Sequence, residues 1–313
     1  MRLVFMGSPE LAVPSLEAVR DAGRLVGVVT QPPRKKGRGL QVEPSPVAAR
    51  AVRMGIDPAT PSSVRTGEFT SWLRNLKPDL AAVVAYGKIL PPEVLQIPRL
   101  GCINVHASLL PELRGAAPIQ WAIARGYTVT GVTTMQMDEG MDTGPVFLQN
   151  EMQIDPDENS HQLGRRISLE GARLLAETIQ ALGQGNISSR PQDDSRATYA
   201  PLLTKDDGLI NWSMDSVEIA NRIRGFVTWP GSFTQWRDKR LLITAAGSAE
   251  DKHDQPPGTV LRSDKDSLFI ACGTGALKVH RLQPEGKSEM EAGDFVSGYR
   301  IGSGDRVGEK EIC

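Results

Sequence analysis

The sequence has little of the features that would place a protein in a class at sight. Its three cysteines, Cys102, Cys272 and Cys313, are an odd number and lack the close paired spacing of a zinc site, which favours a reduced compartment. No apolar run approaches the roughly 18 to 20 residues that are needed to cross a bilayer. The formal net charge is −1, so no overall positive field attracts nucleic acid. We expect a soluble, cytoplasmic protein whose contacts with any polyanion are local.

What is present is the composition of an ordinary globular enzyme. The 313 residues are 40% hydrophobic and 23% charged, and this length suggests about two domains, each large enough for its own core. Long disordered stretches are not expected.

The first residues have the pattern of a β-α-β unit. Residues 3–6 are apolar, helical spacing follows at residues 11–19, and residues 26–30 have the pattern of a second strand. Residues 80–86 are nearly all apolar, which is typical of a strand buried on both faces of a parallel sheet. The pattern predicts a Rossmann-like, doubly wound, mostly parallel α/β sheet. The glycines of the G-x-G-x-x-G fingerprint are missing, so a nicotinamide cofactor is not supported.

The second half of the chain changes from helical spacing to short β-favouring runs. Helices are predicted at residues 161–182 and 216–224, on either side of a polar, turn-rich stretch. The β-favouring runs are residues 241–244, 259–261, 268–271 and 277–282. Their alternation with turn residues predicts a small barrel-like domain. We predict a first domain over residues 1–183, a linker over residues 184–206 and a β domain over residues 207–313.

Three polar side chains carry the strongest chemical signal. Asn104 and His106 are two residues apart on a predicted strand and so project from one face. The strand ends there, and doubly wound sheets bind ligands at that end. Asp142 follows in a glycine-flanked loop. An amide donor and an imidazole can polarise a carbonyl, while a carboxylate keeps the imidazole protonated or receives a proton itself or through a water.

Two other interpretations of this region agree less well with its residues. Asp138 could begin a calcium loop, but Gly140 and Gln149 stand where an EF-hand needs an oxygen ligand and its bidentate glutamate. Ser108 could be a hydrolase nucleophile, but it lacks the flanking glycines of a nucleophile elbow. No metal site is predicted.

A basic cluster lies between two proline-containing stretches. Residues 31–46 read QPPRKKGRGLQVEPSP, a composition that predicts an exposed, mobile loop. Its four cations are Arg34, Lys35, Lys36 and Arg38. Flexible cations of this kind suit contact with phosphate.

Two longer segments resemble a known family. Residues 104–119 read NVHASLLPELRGAAPI and residues 131–144 read GVTTMQMDEGMDTG, and both are similar to the folate-dependent formyltransferases. Within that superfamily the chain most resembles the members that act on methionyl-tRNA. The resemblance covers nearly the full chain, including TYAPLLTKDDGLINW at residues 198–212, and Ala107 replaces a glycine found in many relatives. It implies transfer of the formyl group of 10-formyltetrahydrofolate to the α-amino group of methionyl initiator tRNA, giving N-formylmethionyl-tRNA for translation initiation.

The resemblance also implies roles for individual residues. Asn104, His106 and Asp142 would be catalytic, with the first two donating to the formyl oxygen. Folate contacts, through apolar side chains and free main-chain groups, are implied for a loop and for the end of an apolar strand: Ser108, Leu109, Leu110, Pro111, Tyr86 and Gly87. The basic loop would engage the acceptor end of the tRNA, and the terminal domain would be OB-like. We expect a monomer.

Other acceptors and a non-catalytic role are the alternatives. A formyltransferase could act on an amino sugar nucleotide or another small amine, but the terminal domain and the basic loop favour tRNA. A tRNA-binding protein could retain the fold without the activity, and the presence of Asn104, His106 and Asp142 argues against it.

Overall fold

The computed structural model describes residues 1–36 and 41–308. By their contacts these residues form two compact units. The first contains Met1–Pro118, Val129–Gln153 and Gly164–Ala200, and the second contains Ile119–Thr128, Ile154–Leu163 and the chain from Pro201 onward. Two short segments from the first 183 residues therefore group with the terminal unit, whereas the predicted first domain over residues 1–183 includes them.

The chain up to residue 184 alternates strands and helices. In order, the elements are β1 (Arg2–Gly7), α1 (Val13–Ala22), β2 (Arg24–Val29), β3 (Arg34–Lys36), β4 (Gln41–Glu43), α2 (Pro46–Arg53), α3 (Gly67–Asn75), β5 (Leu80–Val84), α4 (Pro92–Leu95), β6 (Cys102–His106), α5 (Pro118–Ala124), β7 (Val129–Gln136), β8 (Val146–Gln153) and α6 (Ser160–Gln184). Six of the strands form one sheet in the order β2-β1-β5-β6-β7-β8. The pairs from β2 to β6 are parallel, and β7 and β8 add two antiparallel pairs. The predicted Rossmann-like sheet is confirmed, and its antiparallel edge was not predicted.

Side-chain alternation along the central strands explains why helices cover both faces of this sheet. Successive residues of a strand point to opposite faces, and every residue of β5 is buried. One apolar cluster joins alternate strand residues to α1, α2 and α6, and includes Leu3, Phe5, Leu80, Ala82, Leu16, Val47 and Leu175. The other joins the intervening residues to α3 and α4, and includes Val4, Met6, Ala81, Val83, Phe69, Leu73 and Val94.

The basic region is not wholly the irregular loop that its composition predicts. β3 and β4 pair antiparallel, with Arg34 opposite Glu43 and Lys36 opposite Gln41. Main-chain groups can form such a ladder whatever the side chains, because every residue except proline carries a donor and an acceptor. Arg38 lies outside the described residues. The structure describes only the main chain of Arg34, Lys35 and Lys36.

The chain after residue 215 is mainly antiparallel β structure. Its elements are α7 (Ser216–Gly225), β9 (Ser232–Trp236), β10 (Lys239–Ala249), β11 (Val260–Ser263), β12 (Leu268–Ala271), β13 (Ala276–Pro284), β14 (Met290–Glu291) and α8 (Ala292–Tyr299). The sheet order is β11-β12-β13-β10-β9, and β14 also pairs with β13. Arg237 and Asp238, with φ of 48° and 60°, form the two-residue turn between β9 and β10. The separate β unit is confirmed, and its likeness to an OB fold stays a prediction.

Two further observations concern Trp212 and the helices of the described chain. Trp212 is buried in the core of the terminal unit, where its Nε1 donates to Thr234 Oγ1 at 3.0 Å. Across residues 1–36 and 41–308, no helix combines the length and the apolar character required to cross a membrane.

Candidate active site

The end of β6 carries the first two candidate residues. Asn104 lies opposite Val83 of β5 and Met135 of β7, and His106 lies opposite Thr133. Both side chains leave the same face of the strand because they are two residues apart. His106 is only 6% exposed.

Asp142 joins these two residues from the loop between β7 and β8. Its backbone is left-handed, with φ of 56°, a conformation that aspartate adopts more readily than most residues. Its Oδ1 lies 3.5 Å from Asn104 Nδ2 and its Oδ2 lies 3.6 Å from His106 Nδ1. The Gly115 N–H donates to Oδ2 at 2.9 Å. The structure therefore brings the three candidate catalytic residues together around one carboxylate.

The imidazole of His106 has a protein partner at each nitrogen. Nε2 lies 2.9 Å from the Leu113 carbonyl oxygen, and because a carbonyl only accepts, Nε2 carries a hydrogen. Nδ1 faces the Asp142 carboxylate, which makes a salt bridge when the ring is protonated. A formyl oxygen would have to compete with the Leu113 carbonyl for the Nε2 hydrogen. The sequence did not predict this contact between His106 and Leu113.

The amide of Asn104 is held more loosely. Its contact with Asp142, at 3.5 Å, lies at the long limit of a hydrogen bond. Within the described part of the chain the structure records no other hydrogen bond of this amide group. A primary amide carries two donor hydrogens, so Asn104 retains donor capacity for a substrate oxygen.

The loop after β6 is bound to the sheet through its main chain. The Leu110 N–H donates to Thr133 Oγ1 at 3.1 Å, and the Leu110 carbonyl accepts from Gln149 Nε2 at 2.8 Å. Thr133 Oγ1 donates in turn to the Ser108 carbonyl at 2.7 Å. The expectation of free main-chain groups is wrong for Leu110, because the neighbouring antiparallel strands supply partners for both of them.

The apolar side chains of this loop face the protein as well. Leu109 packs so close to Gly131 that a Cβ on that glycine would clash with Leu109 Cδ2. Leu110 is buried with Met135 and Val146, and Pro111 is half-buried. The exposed parts of Leu109 and Pro111 are what this loop offers to a ligand.

A cavity of about 470 Å³ lies at the ends of β1, β2 and β5, as the described residues bound it. Tyr86 and Gly87 line it, and Gln31 Nε2 donates to the Tyr86 carbonyl at 2.9 Å. The Tyr86 ring belongs to the buried apolar cluster under α3 and α4, and burial raises the pKa of its hydroxyl to about 12. The other residues around the cavity are Ser8, Pro9, Pro32, Glu43, Pro44, Ser45, Pro46 and Ala85.

The stretch predicted as a linker contacts the segment that follows the loop after β6. The Arg114 N–H donates to the Thr198 carbonyl at 2.9 Å, and the Arg114 carbonyl accepts from the Ala200 N–H at 2.7 Å. Thr198 Oγ1 accepts from the Leu113 N–H at 2.8 Å. Leu113 is the residue whose carbonyl contacts His106, so residues 198–200 fix the surroundings of the imidazole.

Comparison with known proteins assigns the chain to a family. Residues 1–179 match the family described as "Formyl transferase" and residues 202–300 match "Formyl transferase, C-terminal domain". A methionyl-tRNA formyltransferase from Geotalea uraniireducens is 47% identical over 312 residues, which cover 99% of each chain. One from Citrifermentans bemidjiense is 46% identical over 316 residues, covering 99% of this chain and 98% of that protein. The chain belongs to the methionyl-tRNA formyltransferase family. The resemblance found in the sequence is confirmed.

A solved structure of another formyltransferase has the same fold as this family member. The sugar 3N-formyl transferase WlaRD, crystallised in the presence of dTDP and 5-N-formyl-THF, superposes with a TM-score of 0.67 at 18% identity. The match covers 92% of this chain and 99% of that one. At this identity the likeness concerns the fold alone.

Among the described residues of this formyltransferase, no group of three or more His, Cys, Asp or Glu side chains is arranged to hold a metal ion. Asp138, considered above as the start of a calcium loop, instead accepts hydrogen bonds from Gly140 N and Thr143 Oγ1 at 3.1 and 2.8 Å. These bonds shape the loop that carries Asp142.

Proposed function

We propose that the protein transfers the formyl group of 10-formyltetrahydrofolate to the α-amino group of methionyl initiator tRNA. The observation that carries the proposal is the meeting of an amide, an imidazole and a main-chain N–H at the Asp142 carboxylate. Membership of the methionyl-tRNA formyltransferase family supports the choice of acceptor. The presence of 5-N-formyl-THF in the crystals of the sugar 3N-formyl transferase supports a folate donor.

The reaction forms one C–N bond and breaks another. The neutral amine attacks the formyl carbon, and the carbonyl oxygen becomes negatively charged. The bond from that carbon to N10 of the folate then breaks, as the attacking nitrogen loses a proton and N10 gains one. The protein must therefore stabilise an oxyanion and handle a proton.

Asn104 is the donor that the geometry makes most accessible to the oxyanion. His106 contributes a second hydrogen if the substrate oxygen displaces the Leu113 carbonyl from Nε2. Asp142 keeps His106 oriented, and we assign its carboxylate to receive the amine proton, directly or through one water. A single oxyanion donor is worth about 3 kcal/mol of barrier in enzymes of this kind.

Substrate binding is proposed for two surfaces. Leu109 and Pro111 would contact the folate through the exposed parts of their side chains, while the buried Ser108 and Leu110 would hold the loop against it. Tyr86 and Gly87 would contact it through their main chain along the 470 Å³ cavity. That volume lies within the range of small-molecule sites. The cations Arg34, Lys35, Lys36 and Arg38 would bind phosphates at the acceptor end of the tRNA.

The reaction is tested by mass analysis of the charged tRNA. Purified protein is incubated with 10-formyltetrahydrofolate and methionyl initiator tRNA, and the aminoacyl group is examined for an added formyl. The same tRNA carrying N-acetylmethionine is the control, because its amine is blocked. Labelled formyl donor is offered in parallel with an amino sugar nucleotide and with glycinamide ribonucleotide. Labelling of either small acceptor, with none on methionyl-tRNA, would overturn the proposal.

The compartment and the oligomeric state belong to the same proposal. We place the reaction in the cytoplasm, where initiator tRNA is charged, and we expect the protein to act as a monomer. Light scattering of the purified protein, with and without the tRNA, tests the second point.

A further inference from the structure

Gln192, in the stretch after α6, is bonded to the loop that carries Asp142. Its amide nitrogen donates to the Asp142 carbonyl at 2.8 Å and to the Gly144 carbonyl at 2.7 Å. One side chain therefore holds two main-chain carbonyls of this loop. One belongs to Asp142, whose side chain is the proposed catalytic carboxylate, and the other belongs to Gly144.

The orientation of the Gln192 amide is fixed by a buried arginine. Arg114 Nε and Nη2 donate to Gln192 Oε1 at 3.1 and 2.8 Å. A guanidinium has donors only, so the oxygen of the glutamine must face it and the NH2 group must face the carbonyls. Arg114 is 2% exposed, and its Nη2 also contacts Asp194 Oδ1 at 2.6 Å.

The same arginine is next to the residue that binds the Asp142 carboxylate. Gly115 donates its N–H to Asp142 Oδ2, while Arg114 acts through Gln192 on the Asp142 carbonyl. The side chain and the main chain of Asp142 are thus held by two consecutive residues. Such restraint is needed because Asp142 has a left-handed backbone and its neighbour Met141 is 64% exposed at the loop tip.

We propose that Gln192 is a positioning residue for formyl transfer, which keeps the Asp142 carboxylate beside His106 and Asn104. It acts only through the loop that carries Asp142. The inference rests on the catalytic role proposed for Asp142 and extends it to a residue that composition predicted to be part of a linker.

The substitution Gln192→Glu tests this role with almost no change in side-chain size. A glutamate still accepts from Arg114, but its second oxygen cannot donate to the two carbonyls and is repelled by them. We expect kcat to fall by about tenfold to a hundredfold, the range that follows from a displacement of about 1 Å at a reacting group. KM for both substrates should stay close to wild type. The thermal midpoint should fall, because the two carbonyls lose their donor, so kcat is measured at a temperature at which both proteins are fully folded. Gln184→Glu, which adds the same charge at the exposed end of α6, is the control and should retain wild-type kcat.

A double variant separates positioning from a general structural effect. In an Asp142→Asn background, the added Gln192→Glu change should cost no further activity, because the group that it positions has been replaced. An equal fractional loss in both backgrounds, or an unchanged kcat in the single Gln192→Glu variant, would overturn the proposal. A fully active Asp142→Asn variant would overturn the catalytic role of Asp142 on which it depends.

Discussion

The N–H of Gly115 donates to the Asp142 carboxylate across a distance of 2.9 Å, and it does so from a backbone that only glycine adopts easily. Its φ is 118°, and a Cβ at this position would lie 2.6 Å from the Ala200 carbonyl oxygen. The glycine therefore allows residues 113–115 to approach residues 198–200 while one N–H points at the carboxylate.

Gly115→Ala is expected to damage both stability and activity. The left-handed backbone and the contact with Ala200 should lower the free energy of unfolding by about 2 to 4 kcal/mol, measured by urea denaturation. Formylation should fall further than the loss of folded protein explains, because the backbone shift that relieves the contact with Ala200 moves the residue 115 N–H away from the Asp142 carboxylate. Gly185→Ala is the matched control: its φ is 71° and nothing lies within 4 Å of the added Cβ. Equal losses in both variants would contradict the role of the close contact.

Removal of either proposed oxyanion donor should lower kcat. We expect a loss of about a hundredfold or more for Asn104→Ala and for His106→Ala, the usual cost of one such donor. The rate of a single turnover at saturating tRNA and formyl donor measures it. His161→Ala removes an exposed histidine at the start of α6 and should retain the wild-type rate. Full activity of His106→Ala would make polarisation by the imidazole untenable.

Arg38 carries a prediction about tRNA that comes from the sequence alone. Arg38→Ala should weaken productive use of methionyl-tRNA and flatten its dependence on salt concentration, because each lost phosphate contact reduces the number of released counterions. Folate affinity should stay unchanged. Arg20→Ala is the control, since Arg20 is paired with Asp21 on the surface of α1 at 2.7 Å. A parallel loss for both substrates would point to misfolding of the variant.

Much of the fold can be predicted from the runs and the spacing of apolar residues in the sequence. The apolar run of β5 predicts a strand covered on both faces, and the apolar stripe at helical spacing in α6 predicts a long helix, since both patterns record a buried face directly. The antiparallel strands β7 and β8 were missed. Their residues include polar side chains such as Thr133 and Gln149, which point to partners in the loop after β6 rather than to solvent.

The residues of the candidate site could be predicted from the sequence, but their contacts with the rest of the protein could not. The motifs indicated Asn104, His106 and Asp142, yet no local pattern shows that Leu113 accepts from the imidazole. Gln192 was missed for the same reason: it is one polar residue in a turn-rich stretch, and its importance depends on contacts with residues 114, 142 and 144. Such long-range pairings leave no periodic signal in the chain.

Asp79 should stabilise the protein at neutral pH and lose this effect in acid. The Arg2 N–H donates to its Oδ2 at 2.7 Å and Arg99 donates to its Oδ1 at 3.3 Å. These bonds, that from the Arg2 main chain first, hold the pKa of the Asp79 carboxyl below its usual range. A lowered folded-state pKa gives stability that is present above the unfolded pKa of about 3.9 and is lost as pH falls through the folded value. Asp79→Asn should therefore cost about 1 kcal/mol at pH 7 by urea denaturation, and the difference should shrink in acid.

Cys102 is expected to be chemically inert in the native protein. Its side chain is fully buried in β6, and this burial raises the pKa of its thiol to about 12. Because the thiolate is the reactive form, a thiol with a raised pKa and no exposed surface should react very slowly with an alkylating reagent. The test is alkylation with iodoacetamide followed by peptide mass analysis, in a Cys313→Ser variant that leaves Cys102 and Cys272 as the remaining cysteines. Cys272 is also buried with a pKa raised to about 12, so neither residue should react until urea unfolds the chain. Rapid modification of Cys102 without loss of structure would show that β6 opens at its first residue, the end of the strand opposite His106.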